Sequence, residues 1–162
     1  GNGGVRCMIV PMKKISLVVM GDKKREALKK LRKAGIVHIE ITEASGKKID
    51  ELKEKINKNG VMRNLSILGG EPLDPQNVKD VDKVLKEIRA TYPNIKIYLW
   101  TGYTFEELER REDVRGALRN VDVLIEGRFV EELKQSLPLR GSSNQRVYVR
   151  GKDLKFYTAS NG

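Results

Sequence analysis

Hydrophobic and polar positions along this chain follow two rhythms that take turns. KISLVVM (14–20), IVHIEIT (36–42), residues 62–68, IKIYLW (95–100), VDVLIE (121–126), 145–150 and 154–158 are short runs, rich in β-branched residues or alternating in polarity, and they predict strands. Between them apolar residues recur every three or four positions, as on one face of a helix. Asp22 caps the first helix, Ala27, Leu28, Leu31 and Ala34 form its stripe, and Gly35 stops it. Ser45 caps a second helix, marked by Ile49, Leu52 and Ile56 and closed near Asn59-Gly60. Asp74 caps a third, with Pro75 as its first residue and Val78, Val81, Val84, Leu85 and Ile88 on its core face. Thr104 and Glu107 spell a capping box for a fourth that runs out near 115–120, and 129–136 reads as a short fifth.

The order is strand-helix repeated about five times, then a hairpin around Gly151-Lys152-Asp153. This alternation predicts an α/β fold with a mostly parallel sheet, open or curled into a partial βα barrel with helices outside, and a C-terminal hairpin. At 162 residues, with no repeat, low-complexity tract or Pro/Ser linker, the pattern predicts a single domain over 1–162.

Composition narrows the chemistry. Hydrophobic residues make up 39% and charged residues 33%, and the longest apolar run is too short to span a bilayer. No secretory signal is read in residues 1–20, which carry three basic residues but no long apolar core. One cysteine, Cys7, excludes an internal disulfide and a cysteine-only metal cage within one chain. These features predict a cytoplasmic location. One histidine, His38, excludes a His-rich metal site and reads as a surface residue.

The net charge of +10 is uneven: residues 8–55 hold thirteen Lys/Arg against seven Asp/Glu, and 56–162 hold eighteen against fifteen. The densest basic stretch is DKKREALKKLRKA (22–34). Its plain reading is a solvated helix face, and its functional reading is a contact for an acidic partner. Nucleic acid is disfavoured, because no aromatic residues are interleaved to stack bases.

In parallel α/β folds a ligand sits beyond the carboxyl ends of the strands. Three Gly-bearing turns fall there: Gly69-Gly70-Glu71-Pro72, Trp100-Thr101-Gly102-Tyr103 and Glu126-Gly127-Arg128-Phe129. Glycine admits close backbone approach, turn carbonyls can accept from a ligand ammonium, and Glu71 would strengthen that hold. Tyr103 or Trp100 could pack on a flat ring. One such turn is ordinary; three at one edge read as a small-molecule site. A fourth cluster, Arg140-Gly-Ser-Ser-Asn-Gln-Arg146, is dense in hydrogen-bond donors and suits a phosphate, carboxylate or nucleoside. It precedes a strand, so the direction of that strand decides which edge it joins.

Four motifs, LSILGGEPLDPQNV, IYLWTGYTFEEL, VDVLIEGRF and LRGSSNQRV, stand in an order and spacing that resembles the activating protein of the anaerobic, class III ribonucleoside-triphosphate reductase, a radical S-adenosylmethionine (SAM) family. The resemblance covers 56–152, and GNGGVRC (1–7) is similar to that family's first strand. It implies a 4Fe–4S cluster held by three cysteines spaced CxxxCxxC, SAM on the fourth iron, and hydrogen abstraction from a glycine of the reductase large subunit, the implied partner. Carried onto this chain, it implies that Gly69, Gly70, Glu71 and Pro72 hold the methionine end of SAM. Thr101, Gly102, Tyr103, Ser143, Asn144 and Arg146 would then lie near the nucleoside or shape the site. Glu126-Gly127 stands where that family has Asp-Gly.

Residues 8–55, including MIVPMKKISLVVMGDKKREALKKLRKAGIVHIEI, are instead similar to the start of V-type ATPase or archaeal ATP synthase subunit I, a β-α-β interaction module without catalytic residues. With this segment in place the CxxxCxxC loop is absent, and Cys7 alone cannot supply the thiolates of a 4Fe–4S cluster. The resulting expectation is an activase-like domain that keeps SAM-pocket motifs, with SAM binding weak and radical chemistry lost, so no catalytic or metal-ligating residue is assigned. Two other readings use the same residues: a structural or interaction module working through helix 22–34, or an artificial chimera.

Overall fold

The computed structural model describes residues 15–20, 37–41 and 44–159. The segment 1–7 with Cys7, the basic stretch 22–34, and the side chains of 36–42 with His38 lie outside the described residues. Two strands come first, β1 (Ile15–Met20) and β2 (Val37–Ile41). Helix α1 (Gly46–Ile56) follows, with Ser45 Oγ accepting from Lys48 N at its start as its sequence predicts. After a 3-10 turn over Lys58–Gly60 come β3 (Asn64–Leu68), α2 (Val78–Thr91), β4 (Ile97–Trp100), α3 (Phe105–Glu109), α4 (Arg115–Leu118) and β5 (Val123–Glu126). The chain closes with β6 (Lys134–Leu137), β7 (Arg140–Ser142), β8 (Arg146–Arg150) and β9 (Phe156–Thr158).

The main sheet has seven strands in the order β2-β1-β3-β4-β5-β8-β9. It is mixed rather than mostly parallel. Among the described strands only β3–β4 and β4–β5 pair in parallel; β1 runs against both β2 and β3, and β8 runs against both β5 and β9. Among the described residues the sheet is open, with β2 and β9 at its edges, and no barrel closes. The segment that resembles subunit I enters this sheet: β1 pairs Ser16 with Leu68 and Met20 with Asn64 of β3. The expected hairpin over 145–158 is present as β8–β9.

Three boundaries differ from the sequence expectation. Helix α2 begins at Val78, because Asp74 Oδ1 accepts from Gln76 N and the Asp74 carbonyl accepts from Asn77 N and Val78 N, so 72–77 form turns. The helix expected after Thr104 is two short pieces, α3 and α4, although its capping box is present as read. Residues 129–136 are not a helix: a 3-10 turn over Glu131–Leu133 leads into β6, which pairs with β7 beside the main sheet.

Apolar alternation explains the layers. Leu65, Ile67, Ile97, Leu99 and Leu124 share one buried cluster with Leu52, Ile56, Leu85 and Ile88 of α1 and α2, and with Val114, Ala117 and Val121. The intervening residues Tyr98, Val123, Ile125 and Val147 form a second cluster on the opposite face, with Trp100, Leu139 and Ala159 packed against it. Among the described residues the helical layer therefore lies on one face only. None of these helices is long and apolar enough to cross a membrane.

Candidate functional site

The site begins where β3 ends. Gly69 and Gly70 have φ of 69° and 51°, consecutive left-handed positions that side chains resist. Both are exposed, whereas Pro72 is buried. Glu71 turns its carboxylate sideways along the sheet edge. Its Oε2 accepts from Leu73 N at 2.8 Å and from Thr101 Oγ1 at 2.9 Å, and its Oε1 accepts from Gly102 N at 2.6 Å. The Glu71 carbonyl accepts from the buried Asn77 side chain at 2.7 Å. Glu71, expected to face a ligand ammonium, thus ties the β3 turn to the β4 turn.

The β4 turn is held from both sides. Thr101 is buried, donates its N–H to the Ile125 carbonyl at 2.9 Å, and accepts from Tyr103 N at 3.2 Å. Thr104 Oγ1 accepts from Glu107 N, and Glu107 accepts from Thr104 N, which closes the capping box. That backbone bond and the Arg128 guanidinium hold the Glu107 carboxyl below its usual range. Tyr103 packs with the helix-side cluster, and the Arg111 guanidinium sits 4.9 Å from its ring centroid. Trp100 instead lies with the opposite-face cluster and donates to the Leu139 carbonyl at 2.8 Å. The two aromatic candidates are therefore on different faces of the sheet.

The β5 turn, one of the three Gly-bearing turns, adds a charged junction built on Glu126, which the sequence reading did not assign as a site residue. Glu126, 1% exposed, accepts from Phe105 N and from Arg146 at 3.1 and 2.8 Å, and Arg146 also makes two bonds to Glu106, at 3.0 and 2.6 Å. The guanidinium of Arg146 pushes the exposed Glu106 carboxyl down to about 2 from its ordinary 4.5, and the two glutamates push Arg146 further up. Gly127, with φ of 99°, donates to the Tyr103 carbonyl at 3.1 Å and accepts from Gln145 Nε2 at 2.9 Å. Gln145 Oε1 accepts in turn from Gly141 N and Ser142 N, and Asn144 Nδ2 donates to the Arg128 carbonyl.

The antiparallel course of β8 settles where the fourth cluster goes. Glu126 of β5 lies opposite Arg146 of β8, so the loop before β8 meets the carboxyl ends of β3, β4 and β5. Gly69, Gly70, Glu71, Pro72, Thr101, Gly102, Tyr103 and Arg146 share that edge, with Ser143 and Asn144 exposed in the adjoining loop. A glutamate closing the otherwise apolar VLIE, all four of whose residues are buried, was the readable signal for Glu126. Glu107 pairs with Arg128, and Glu106 and Glu126 pair with Arg146, so this edge carries fixed charges of both signs.

Among the described residues no thiol stands at this edge to ligate a 4Fe–4S cluster. Such clusters are held by thiolates, and the sequence has one, Cys7. Among the described residues no three His, Cys, Asp or Glu side chains are grouped to hold a metal ion.

The sequence matches the family described as a 4Fe-4S single cluster domain over residues 28–148. Curated relatives include three anaerobic ribonucleoside-triphosphate reductase-activating proteins. The one from Escherichia coli K12 is 41% identical over 101 residues, 61% of this chain and 64% of the relative. The one from bacteriophage T4 is 35% identical over 100 residues, 62% of this chain and 61% of the relative. That of Vibrio cholerae is 36% identical over 107 residues, 65% and 66% of the two chains. The chain thus spans a little under two thirds of the relatives' length. No solved structure matches. The family match starts inside the segment that resembles subunit I and crosses its joint at 55/56, so it does not support a chimera. The likeness to subunit I has no support among these matches.

Proposed function

The chain belongs to the family of 4Fe-4S single cluster domains, and from that premise we propose that it is an activating-protein-like domain for an anaerobic ribonucleotide reductase, with a pocket for SAM at the carboxyl edge of its sheet. The observation that carries this reading is the meeting of four motif-bearing loops at one edge, joined by hydrogen bonds from turn to turn. The exposed Gly69-Gly70 turn offers backbone carbonyls to the ammonium of the ligand's methionine end, with Pro72 buried behind it. Thr101, Gly102 and Tyr103 shape the wall beside it. Ser143 and Asn144, exposed in the neighbouring loop, supply polar contacts toward the nucleoside, and Arg146 holds that loop's base against Glu126.

By the resemblance to the activating proteins, a bound cluster would supply the electron that cleaves SAM. Residues 1–162 lack the thiolates to hold one, so the chain by itself binds without generating a radical. Its partner is the reductase, by the names its relatives carry. A cytoplasmic location accords with a single cysteine.

A titration of the iron-free protein with SAM, followed by backbone amide resonances, tests the pocket. The reading expects saturable shifts at Gly69, Gly70 and Thr101 through Tyr103. An absence of shifts there, at SAM concentrations up to the millimolar range, rejects it.

A further inference from the structure

The four loops at the carboxyl edge are joined by one unbroken set of hydrogen bonds. It starts at the Glu71 carboxylate, which takes Gly102 N and Thr101 Oγ1, and the same hydroxyl takes Tyr103 N. The Tyr103 carbonyl takes Gly127 N, the Gly127 carbonyl takes Gln145 Nε2, and Gln145 Oε1 takes Gly141 N and Ser142 N. We propose that Glu71 is a positioning residue: its carboxylate sets the Thr101–Tyr103 turn and, through the Tyr103 carbonyl, the Gly127 turn, rather than meeting the ligand itself.

Two features of the geometry favour this role. Both carboxylate oxygens already receive protein donors at short distance, two backbone amides and the Thr101 hydroxyl. The turn also sits directly against the carboxylate: a Cβ at position 102 would meet Glu71 Oε1 at 3.4 Å, an ordinary contact. A ligand that drew Glu71 toward itself would have to release Gly102 N and Thr101 Oγ1, leaving the buried Thr101 without its acceptor. The relay also fixes an order of influence, because the β5 turn and the 141–145 loop depend on Tyr103, and Tyr103 N depends on Thr101.

The inference deepens the SAM-pocket reading and rests on it for ligand, while its structural half stands alone. Amide hydrogen exchange is compared in the wild type, Glu71→Gln and Thr101→Val, with α2 as the internal reference. Loss of a charge-assisted bond should speed exchange at Gly102 by about tenfold or more in Glu71→Gln, with a smaller rise at Gly127 and none in α2. Thr101→Val, which keeps Glu71, should speed Tyr103 and Gly127 in the same way. Unchanged exchange at Gly102 and Gly127, or an equal rise at every amide including α2, overturns the proposal.

The ligand arm compares SAM with 5′-methylthioadenosine, which lacks the amino-acid portion. A positioning role predicts that Glu71→Gln weakens both by the same factor, whereas a larger loss for SAM than for methylthioadenosine would show direct contact and overturn it. Failure of the wild type to bind either ligand sinks the pocket reading, and the exchange result then decides the inference alone.

Discussion

The two ends of the central strands are held together by opposite chemistry. At the amino ends, arginines donate to backbone carbonyls: Arg89 reaches the Pro93, Ile95 and Asn120 carbonyls and Asp122, and Arg150 reaches the Leu118, Val121 and Leu154 carbonyls. At the carboxyl ends, glutamates accept from backbone amides: Glu71 takes Leu73 N and Gly102 N, and Glu126 takes Phe105 N. The amino end has its carbonyls filled by fixed cations and closes on itself. The carboxyl end has backbone amides of its turns held by two glutamates, Glu71 and Glu126. The same sheet thus has one finished edge, tied by arginines on carbonyls, and one open edge, tied by glutamates on amides and carrying the exposed Gly69-Gly70 turn.

Breaking the finished edge should cost most. Arg89→Met removes a clamp that joins α2 to the starts of β4 and β5, and about 3 kcal/mol of stability should go with it in urea melts, exchange rising at both edges together. A loss confined to the amino edge would mean that Arg89 is a local strap.

The open edge should yield locally. Arg146→Met leaves the Glu126 carboxylate, 1% exposed, with Phe105 N as its remaining partner, at a cost of about 2 kcal/mol because Arg146 is itself partly solvated. Exchange should rise first in 104–106 and 141–146. Adding Glu126→Met to Arg146→Met should restore part of the loss, since an apolar pair then fills the site; a double variant weaker than the single would show that Phe105 N depends on Glu126 more than the ion pair does.

Gly127→Ala tests the backbone alone. A Cβ there meets Gln145 Cα at 3.5 Å, an ordinary contact, so the expected cost of about 1 kcal/mol comes from the φ of 99°. A cost several times larger would place a hidden clash in the β5 turn.

The smallest effect is a pH dependence. The Glu106 carboxyl is lowered in the folded chain to about 2, chiefly by Arg146, from 4.5. Its contribution to stability is therefore complete above about 4.5 and fades as the pH falls through about 2. Carboxyl-carbon resonances should show Glu106 titrating well below the other exposed glutamates. A midpoint at the ordinary value would mean that the pair with Arg146 does not persist in solution.

Local features were the legible ones. Ser45, the Thr104–Glu107 box and the Val78–Ile88 stripe are decided within a few residues, and each is present where its spacing put it. Strand direction was not legible. A βα alternation looks the same whether a strand enters parallel or against its neighbour, and β1 and β8 took the second course. Phe129 and Leu133, four apart, imitate one helical turn, yet the stretch ends at Leu137-Pro138 in a hairpin whose Leu139 has φ of 65°. The gathering of the Gly-bearing turns could be read from the parallel core. The role of Glu71 could not, since its partners Thr101 and Gly102 lie thirty and thirty-one positions away.

The central proposal is that this edge binds SAM on its own polar bonds while residues 1–162 hold no cluster. Anaerobic reconstitution with iron and sulfide, followed by an iron count and a SAM titration on the same sample, tests it most directly. The account predicts no stoichiometric iron, an unchanged melting temperature and SAM-dependent shifts at the Gly69–Gly70 turn. Four irons per chain, with reductant-dependent cleavage of SAM, would contradict it.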